Sequence, residues 1–311
     1  MTDLVAPDEA ASPSASTFAV ERSIPRTGRL RLAIPNKGRL QEPALRLLHD
    51  AGMIFDEHDR SLVAHVENID LDILFVRTND VVEFVDDGVA DLGIVGEDLL
   101  AESGVTLERL RPLGFGLCRL AAAVPNDAPI ESFDQLADLR IATSHPRSAG
   151  AFFAERGIPV QIIALSGAVE VAPRLGLADA IVDLVSTGST LAMNGLRPIG
   201  DVLASQALLV AGSEAMATRG DEIAAIDTML QSVIAARSKK YLMMNAPAER
   251  LEELEDLLPG LESPSVVPLA HAGMIAIHSV VDAGEVWGLL PRLKAAGASG
   301  ILVLPIEKVV P

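Results

Sequence analysis

The stretch Ala180-Ile181-Val182-Asp183-Leu184-Val185-Ser186-Thr187-Gly188-Ser189-Thr190 decides how the chain is read. Its first six residues, apolar except for Asp183, read as a buried strand. Four hydroxyl residues, Ser186, Thr187, Ser189 and Thr190, then surround Gly188. A phosphate group needs convergent N–H and O–H donors, a glycine that permits close approach, and the positive end of a following helix. Asp183, ahead of the loop, can accept hydrogen bonds from sugar hydroxyls. A Ser/Thr-rich N-cap turn with no ligand satisfies the same letters, so the loop alone leaves two readings open.

Outward from this stretch, strands are expected at Leu117–Val124, Arg140–Thr143 and Val160–Leu165. Helices are expected at Ser132–Ala137, Ser148–Arg156 and Ala168–Leu175. An earlier unit repeats the alternation, with strands Leu30–Ile34, Ile69–Val76 and Ala90–Val95 and helices Glu42–Ala51 and Asn79–Asp87. Such alternation predicts an α/β fold with mostly parallel sheets. Ala207–Ala211 reads as a strand returning to the first unit, which places a cleft between two lobes, a preferred ligand position. Asp221–Arg237 reads as one long helix. The rest has the order βαββαβ, the ferredoxin-like pattern, with Pro291 a conflict inside its second helix. The expected limits are a disordered tail at 1–27, a first lobe at 28–116 and 202–225, a second lobe at 117–201, a linking helix at 226–237 and a C-terminal domain at 238–311.

The 311 residues carry a formal net charge of −18, opposite to the balance of a nucleic-acid binder. Any phosphate site must therefore be local, built from backbone N–H groups and a few cations. The chain is 49% hydrophobic, yet no apolar run reaches the length of a membrane span. A single cysteine, Cys118, rules out a disulfide framework within the chain.

Further candidates lie at strand ends. Lys37, Gly38 and Arg39 follow the first strand and suit a polyphosphate, although a solvated basic turn is the commoner fate of such a triplet. Arg77 ends the second strand. Glu97 and Asp98 follow the third, where carboxylates can hold Mg²⁺ through water, bind sugar hydroxyls, or simply cap the next helix. Arg119 can reach a phosphate, beside Cys118 as a small filler. Glu170 can contact adenine or sugar. His145, His271 and His278 lack metal-ligand spacing, and neither a P-loop nor a Ser-His-Asp order is present.

Together the segments Pro35-Asn36-Lys37-Gly38-Arg39-Leu40, Asp91–Gly96, Gly114–Leu120, Gly167–Pro173 and Gly176–Thr190 resemble, in order, the ATP phosphoribosyltransferase family. Lys240–Asn245, Ser263–Ser265 and Gly300–Lys308 resemble its long form, which carries its own regulatory domain. The resemblance implies two lobes of the type II periplasmic-binding-protein kind, with ATP, 5-phosphoribosyl diphosphate (PRPP) and Mg²⁺ as reactants and cofactor in the first step of histidine biosynthesis. It implies a cytoplasmic homo-oligomer, dimer and hexamer, inhibited by L-histidine, without nucleic-acid or membrane partners. Asp183 to Thr190 become the PRPP loop; Lys37, Arg39, Arg77 and Arg119 the charge-stabilising set; Gly38, Glu97, Asp98 and Glu170 further substrate contacts. The matching histidine-site positions are Asn245, Leu261, Ser265, Val280 and Gly300; Asn245 departs from an acidic residue found in some members, and His145 from an aromatic or basic one. A solute-binding protein of the same architecture would predict a secretory signal and leaves the C-terminal domain unexplained. A short form lacks residues equivalent to 238–311, and most other PRPP-using transferases place two adjacent acids before the phosphate loop, where this chain has only Asp183.

Overall fold

The computed structural model describes residues 28–56, 62–258 and 263–310. The expected tail at 1–27 and the expected histidine contact Leu261 lie outside them.

The first sheet contains β1 (Leu30–Pro35), β2 (Val63–His65), β3 (Leu71–Val76), β4 (Leu92–Gly96), β5 (Glu108–Pro112) and β11 (Ala207–Ala211), in the order β2-β3-β1-β4-β11-β5. β1 runs parallel to β3 and β4, and β11 antiparallel to β4. Helices cover both faces, so β4 and β11 are apolar throughout and β1 is apolar but for Arg31. Leu32 and Ile34 point to the core beneath α1 (Gln41–Asp50) and α6 (Ser213–Arg237). Ala33, between them, points to the core beneath α2 (Val81–Asp86) and α3 (Glu97–Ser103). Each large side chain so buried contributes about 1.5–3 kcal/mol of transfer free energy.

The second sheet contains β6 (Cys118–Pro125), β7 (Arg140–Thr143), β8 (Gln161–Ala164), β9 (Ala180–Val185) and β10 (Leu196–Ser205), in the order β10-β6-β9-β7-β8. Its helices are α4 (Pro146–Glu155) and the short α5 (Ser189–Met193). Two chain segments join the lobes and hold each other: Leu113 N donates to Ala207 O, and Ala207 N to Phe115 O, both at 2.9 Å.

The third sheet contains β12 (Lys239–Pro247), β13 (Ser265–Pro268), β14 (Met274–Asp282) and β15 (Ser299–Pro305), in the order β13-β14-β12-β15. With α7 (Leu251–Glu255) and α8 (Val286–Ala295) this is the ferredoxin-like βαββαβ arrangement read from the sequence. α8 continues through Pro291.

Several local expectations are corrected. The expected helix Ala168–Leu175 is a 3-10 turn at Val169–Val171, because Ala168 takes a left-handed conformation (φ 52°) and Pro173 and Gly176 interrupt the chain beyond the turn. The expected helix Asn79–Asp87 opens as a 3-10 turn at Thr78–Asp80 before α2, and Ser132–Ala137 reduces to a 3-10 turn at Phe133–Leu136 inside a Ser132–Gln135 capping box. β2, β5 and β10 were not expected; all are partly exposed, and β10 carries Pro198 and Gly200 with two register shifts. α6 begins at Ser213 rather than Asp221, with Arg219 off the helical conformation (φ −135°, ψ 26°) just before Gly220. β10 stays paired with β6 as far as Ser205, so the second sheet holds Val202–Ser205 beyond the expected limit at 201. Among the described residues no helix is long and apolar enough to cross a membrane.

Candidate functional site

The carboxyl ends of β1, β3 and β4 in one lobe face those of β7, β8 and β9 in the other. A cavity of about 560 Å³ lies between them, with Lys37, Arg39, Thr78 and Asn79 on one side and Ser144, His145, Ser166 and Leu184 on the other. Strand carboxyl ends collect loops and helix entries, where backbone groups are free for ligands.

On the first lobe, β1 delivers Asn36, Lys37 and Gly38 into an exposed bend, Gly38 at φ 85°. Lys37 is exposed. Arg39 folds back, donating from Nη1 to Gly116 O at 2.8 Å and from Nη2 to Asp98 Oδ1 at 3.3 Å. Asp98 is not the cap of α3, as one sequence reading allowed: the cap is Gly96, and Asp98 lies inside the first turn, 1% exposed. A Cβ on Gly96 would collide with the Asp98 carboxylate, so glycine is required there. Ser205 Oγ donates a short hydrogen bond to Asp98 and accepts from its N–H at 3.1 Å. Burial disfavours the Asp98 anion, but the His145 and Ser205 side chains and the Arg39 charge outweigh it and hold the carboxyl below its ordinary value.

On the second lobe, His145 follows β7 and is 4% exposed. Its Nε2 stands 3.6 Å from Asp98 Oδ2, beyond hydrogen-bond length, and its Nδ1 is 3.0 Å from Ser144 Oγ. Which of Ser144 Oγ and His145 Nδ1 donates depends on the tautomer of the ring. Among the described residues, the buried side-chain polar atoms lacking a hydrogen-bond partner are His145 Nε2 and Asn36 Oδ1, one beside the cavity and one at the end of β1. Asp183 accepts from Leu184 N at 2.8 Å. Burial pushes its carboxyl above the ordinary value, opposed by that N–H; the Glu170 charge pushes the same way and His145 against it. Beyond β9, Ser186, Thr187, Ser189 and Thr190 are exposed, Gly188 turns at φ 81°, and Thr187 Oγ1 meets Ser189 Oγ at 3.0 Å.

The structure does not bring every candidate to the cavity wall. Glu97 pairs with Arg109 at 2.8 Å, and Arg119 with Asp201 at 2.8 Å. Arg77 is exposed outside the wall. Conversely, His145, Ser144, Ser166 and Ser205 were not proposed as site residues from sequence. Their signal was position: like Lys37, the first three follow strand ends. Glu102 was also missed. From the last turn of α3 it crosses to the other lobe and accepts from Arg147 N (2.9 Å), Ser148 N (2.9 Å) and Ser148 Oγ (2.8 Å), closing the N-terminus of α4.

In the C-terminal domain, Asn245, Val280 and Ser265 share the sheet face opposite the helix-covered core of Leu242, Met244 and Ile277. A Cβ on Gly300 would lie 3.5 Å from Asn245 Nδ2, so these two positions adjoin. Among the described residues no three His, Cys, Asp or Glu side chains converge as a metal cage.

Fold and cleft together define a two-lobed α/β protein with a ligand-sized cavity between its lobes and a separate ferredoxin-like domain. Residues 77–232 match the family model for ATP phosphoribosyltransferase, and residues 236–308 the model for the HisG C-terminal domain. The ATP phosphoribosyltransferase of Methanocella arvoryzae is 44% identical over 283 residues, 90% of this chain and 99% of that one. That of Gemmatimonas aurantiaca is 44% identical over 292 residues, 91% of this chain and 100% of that one. The ATP phosphoribosyl transferase (HisG:HisZ) complex of Thermotoga maritima includes a chain superposing with a TM-score of 0.58 at 32% identity, covering 66% of this chain and 98% of that one. The chain belongs to the ATP phosphoribosyltransferase family. It is a pentosyltransferase of histidine biosynthesis.

Proposed function

We propose that this chain transfers the 5-phosphoribosyl group of PRPP to N1 of ATP, releasing diphosphate, and that L-histidine inhibits it through the C-terminal domain. The observation carrying this reading is the cleft itself, which sets Lys37, Arg39 and Asp98 against Ser144, His145, Ser166 and Leu184; Leu184 belongs to β9, the strand that runs on into the loop Ser186–Thr190. The adenine ring nitrogen already holds a lone pair, so no strong base is required. The anomeric carbon moves towards an oxocarbenium ion as diphosphate departs, and the protein must align two anions and stabilise the leaving charge. Lys37 supplies a cation free to meet phosphate, while Arg39 is held in place by Gly116 and Asp98. The hydroxyls of Ser186, Thr187, Ser189 and Thr190 and the turn at Gly188 bind the 5-phosphate, and Asp183 the ribose. Arg77 and Arg119 join the charge-stabilising set once Arg119 exchanges Asp201 for phosphate; Glu97 is a less direct contact through its pair with Arg109.

Mg²⁺ fits as an ion brought by the substrate phosphates, which keeps several waters and touches only one or two carboxylates. Asp183 and Glu170, which interact with each other and have no cationic side chain bonded to them among the described residues, would meet its water shell. Bound there, it would neutralise the departing diphosphate.

For regulation, Asn245, Ser265, Val280 and Gly300, with Leu261, form the proposed histidine site, in a dimer-to-hexamer assembly in the cytoplasm. The test mixes purified protein with ATP, PRPP, Mg²⁺ and a pyrophosphatase and follows near-ultraviolet absorbance of the product. Absorbance should rise and histidine should suppress it. No rise, with PRPP binding also absent, would sink the proposal.

A further inference from the structure

A second cavity, of about 500 Å³, lies away from the cleft, where the first lobe, α6 and the chain after β15 meet. That size is usual for a small-molecule site. One wall is a single stripe of α6, with Glu222, Ala225, Ile226 and Met229 at helical spacing. The facing wall holds Met53 and Leu71, both buried, and Ile69. Met229 and Ile69 stay 40% and 37% exposed, an apolar lip around the opening.

The polar groups divide sharply. Asn68 builds the wall, donating to Gly52 O at 2.9 Å and accepting from Ile54 N at 3.0 Å. Asp70 is paired with Arg29 at 3.2 Å. Glu222 takes two hydrogen bonds from Arg219, which hold its carboxyl below the ordinary value. Each acid thus has an arginine partner, although Arg29 also holds Asp72 at 2.7 Å. Lys308 differs: it lines the cavity with no hydrogen-bond or ion-pair partner among the described residues. Its Nζ lies 3.8 Å from where a Cβ on Gly52 would stand, and Gly52, at φ 93°, leaves that side of the mouth open. The cavity thus presents apolar walls and one cationic side chain with no direct partner among the described residues.

We infer that this cavity binds a small monoanion with an apolar body: an aryl- or branched-alkyl carboxylate whose head pairs with Lys308 and whose hydrocarbon lies between Met53 and Met229. Charge complementarity sets the head group, because Lys308 is the charged side chain of the lining with no partner among the described residues, whereas Asp70 and Glu222 each face an arginine. An occupant would touch the C-terminal chain, the first lobe and α6, whose helix breaks at Arg219 beside it. The inference concerns binding and does not rest on the proposed reaction.

The probe is 3-phenylpropionate, titrated into the full chain carrying methyl-¹³C methionine, with signals assigned by single Met→Leu variants. Met53 and Met229 should shift saturably while the other methionines do not. Lys308→Met should weaken binding about tenfold, the effect of losing one charge-assisted pair. The neutral 3-phenylpropan-1-ol should bind the unaltered chain about tenfold more weakly than the acid, and Lys308→Met as well as the acid does. Met229→Trp, which fills the cavity, should abolish the Met53 shift. No saturable shift at Met53 and Met229, shifts only at other methionines, or equal affinity of acid and alcohol for the unaltered chain would each overturn the inference.

Discussion

The Asp98 carboxylate and the His145 imidazole face each other 3.6 Å apart across the boundary between the lobes, 1% and 4% exposed. Neither is satisfied by the other at that distance. A closure of a few tenths of an ångström would make the contact a hydrogen bond. His145→Phe keeps a ring of similar size and removes both ring nitrogens. It should destabilise the fold by about 1–3 kcal/mol and weaken PRPP binding about tenfold. His145→Gln, which retains a donor, should recover part of both. Thermal unfolding and calorimetric titration check this; unchanged binding in His145→Phe would show that closure does not use the pair.

Glu102 provides the second link between lobes, accepting three hydrogen bonds at the start of α4. A carboxylate there satisfies free N–H groups and opposes the positive end of the helix. Glu102→Ala should cost about 1–2 kcal/mol. It should also loosen the lobes, raising the solution radius of gyration of the ligand-free protein. An unchanged scattering profile would assign Glu102 to helix stability alone.

Asp98 and Asp183 carry opposite pH signatures. The Asp98 value is lowered in the fold, so its contribution is present above the unfolded-state value and is lost as pH falls through the folded one. The Asp183 value is raised, so ionisation works against folding once pH exceeds the unfolded-state value. Asp183→Asn should raise the melting temperature at neutral pH and leave it nearly unchanged below the unfolded-state value. If Asp183 binds ribose, the same change should lower kcat/KM by about 100-fold or more. Asp98→Asn should lower the melting temperature at neutral pH. Measuring both across pH 3–8 tests the signs together.

Parts of this arrangement were legible in the sequence because they follow local rules. The run at Ala180–Val185, apolar except for Asp183, sits in a sheet covered on both faces, and its pattern survives folding. Lys37 was found because a polar loop after a buried strand stands out. The rest depends on contacts distant in sequence. Asp98 and Ser205 are 107 residues apart, so spacing could not show that Asp98 is buried by Ser205 rather than capping α3. β10 escaped notice because Pro198, Gly200 and its register shifts break the alternation that marks a strand. The link from Glu102 to Ser148 exists only once two lobes meet.

Lys37 and Arg39 lie two residues apart but differ in what holds them. Lys37 is exposed on the rim, with no hydrogen-bond or ion-pair partner among the described residues. Arg39 is committed to Gly116 O and Asp98. Lys37→Ala should therefore leave the melting temperature within about 1–2 °C while kcat/KM falls about 100-fold, with a weaker dependence on ionic strength. Arg39→Ala should lower both stability and activity, because it uncovers the buried Asp98 charge as well as removing a cation. Arg39→Lys keeps the charge but loses the fork that reaches two acceptors, and should restore activity less than stability. Calorimetry and steady-state kinetics on the three variants decide the point. A Lys37→Ala protein with unaltered kinetics would remove Lys37 from the phosphate-binding set.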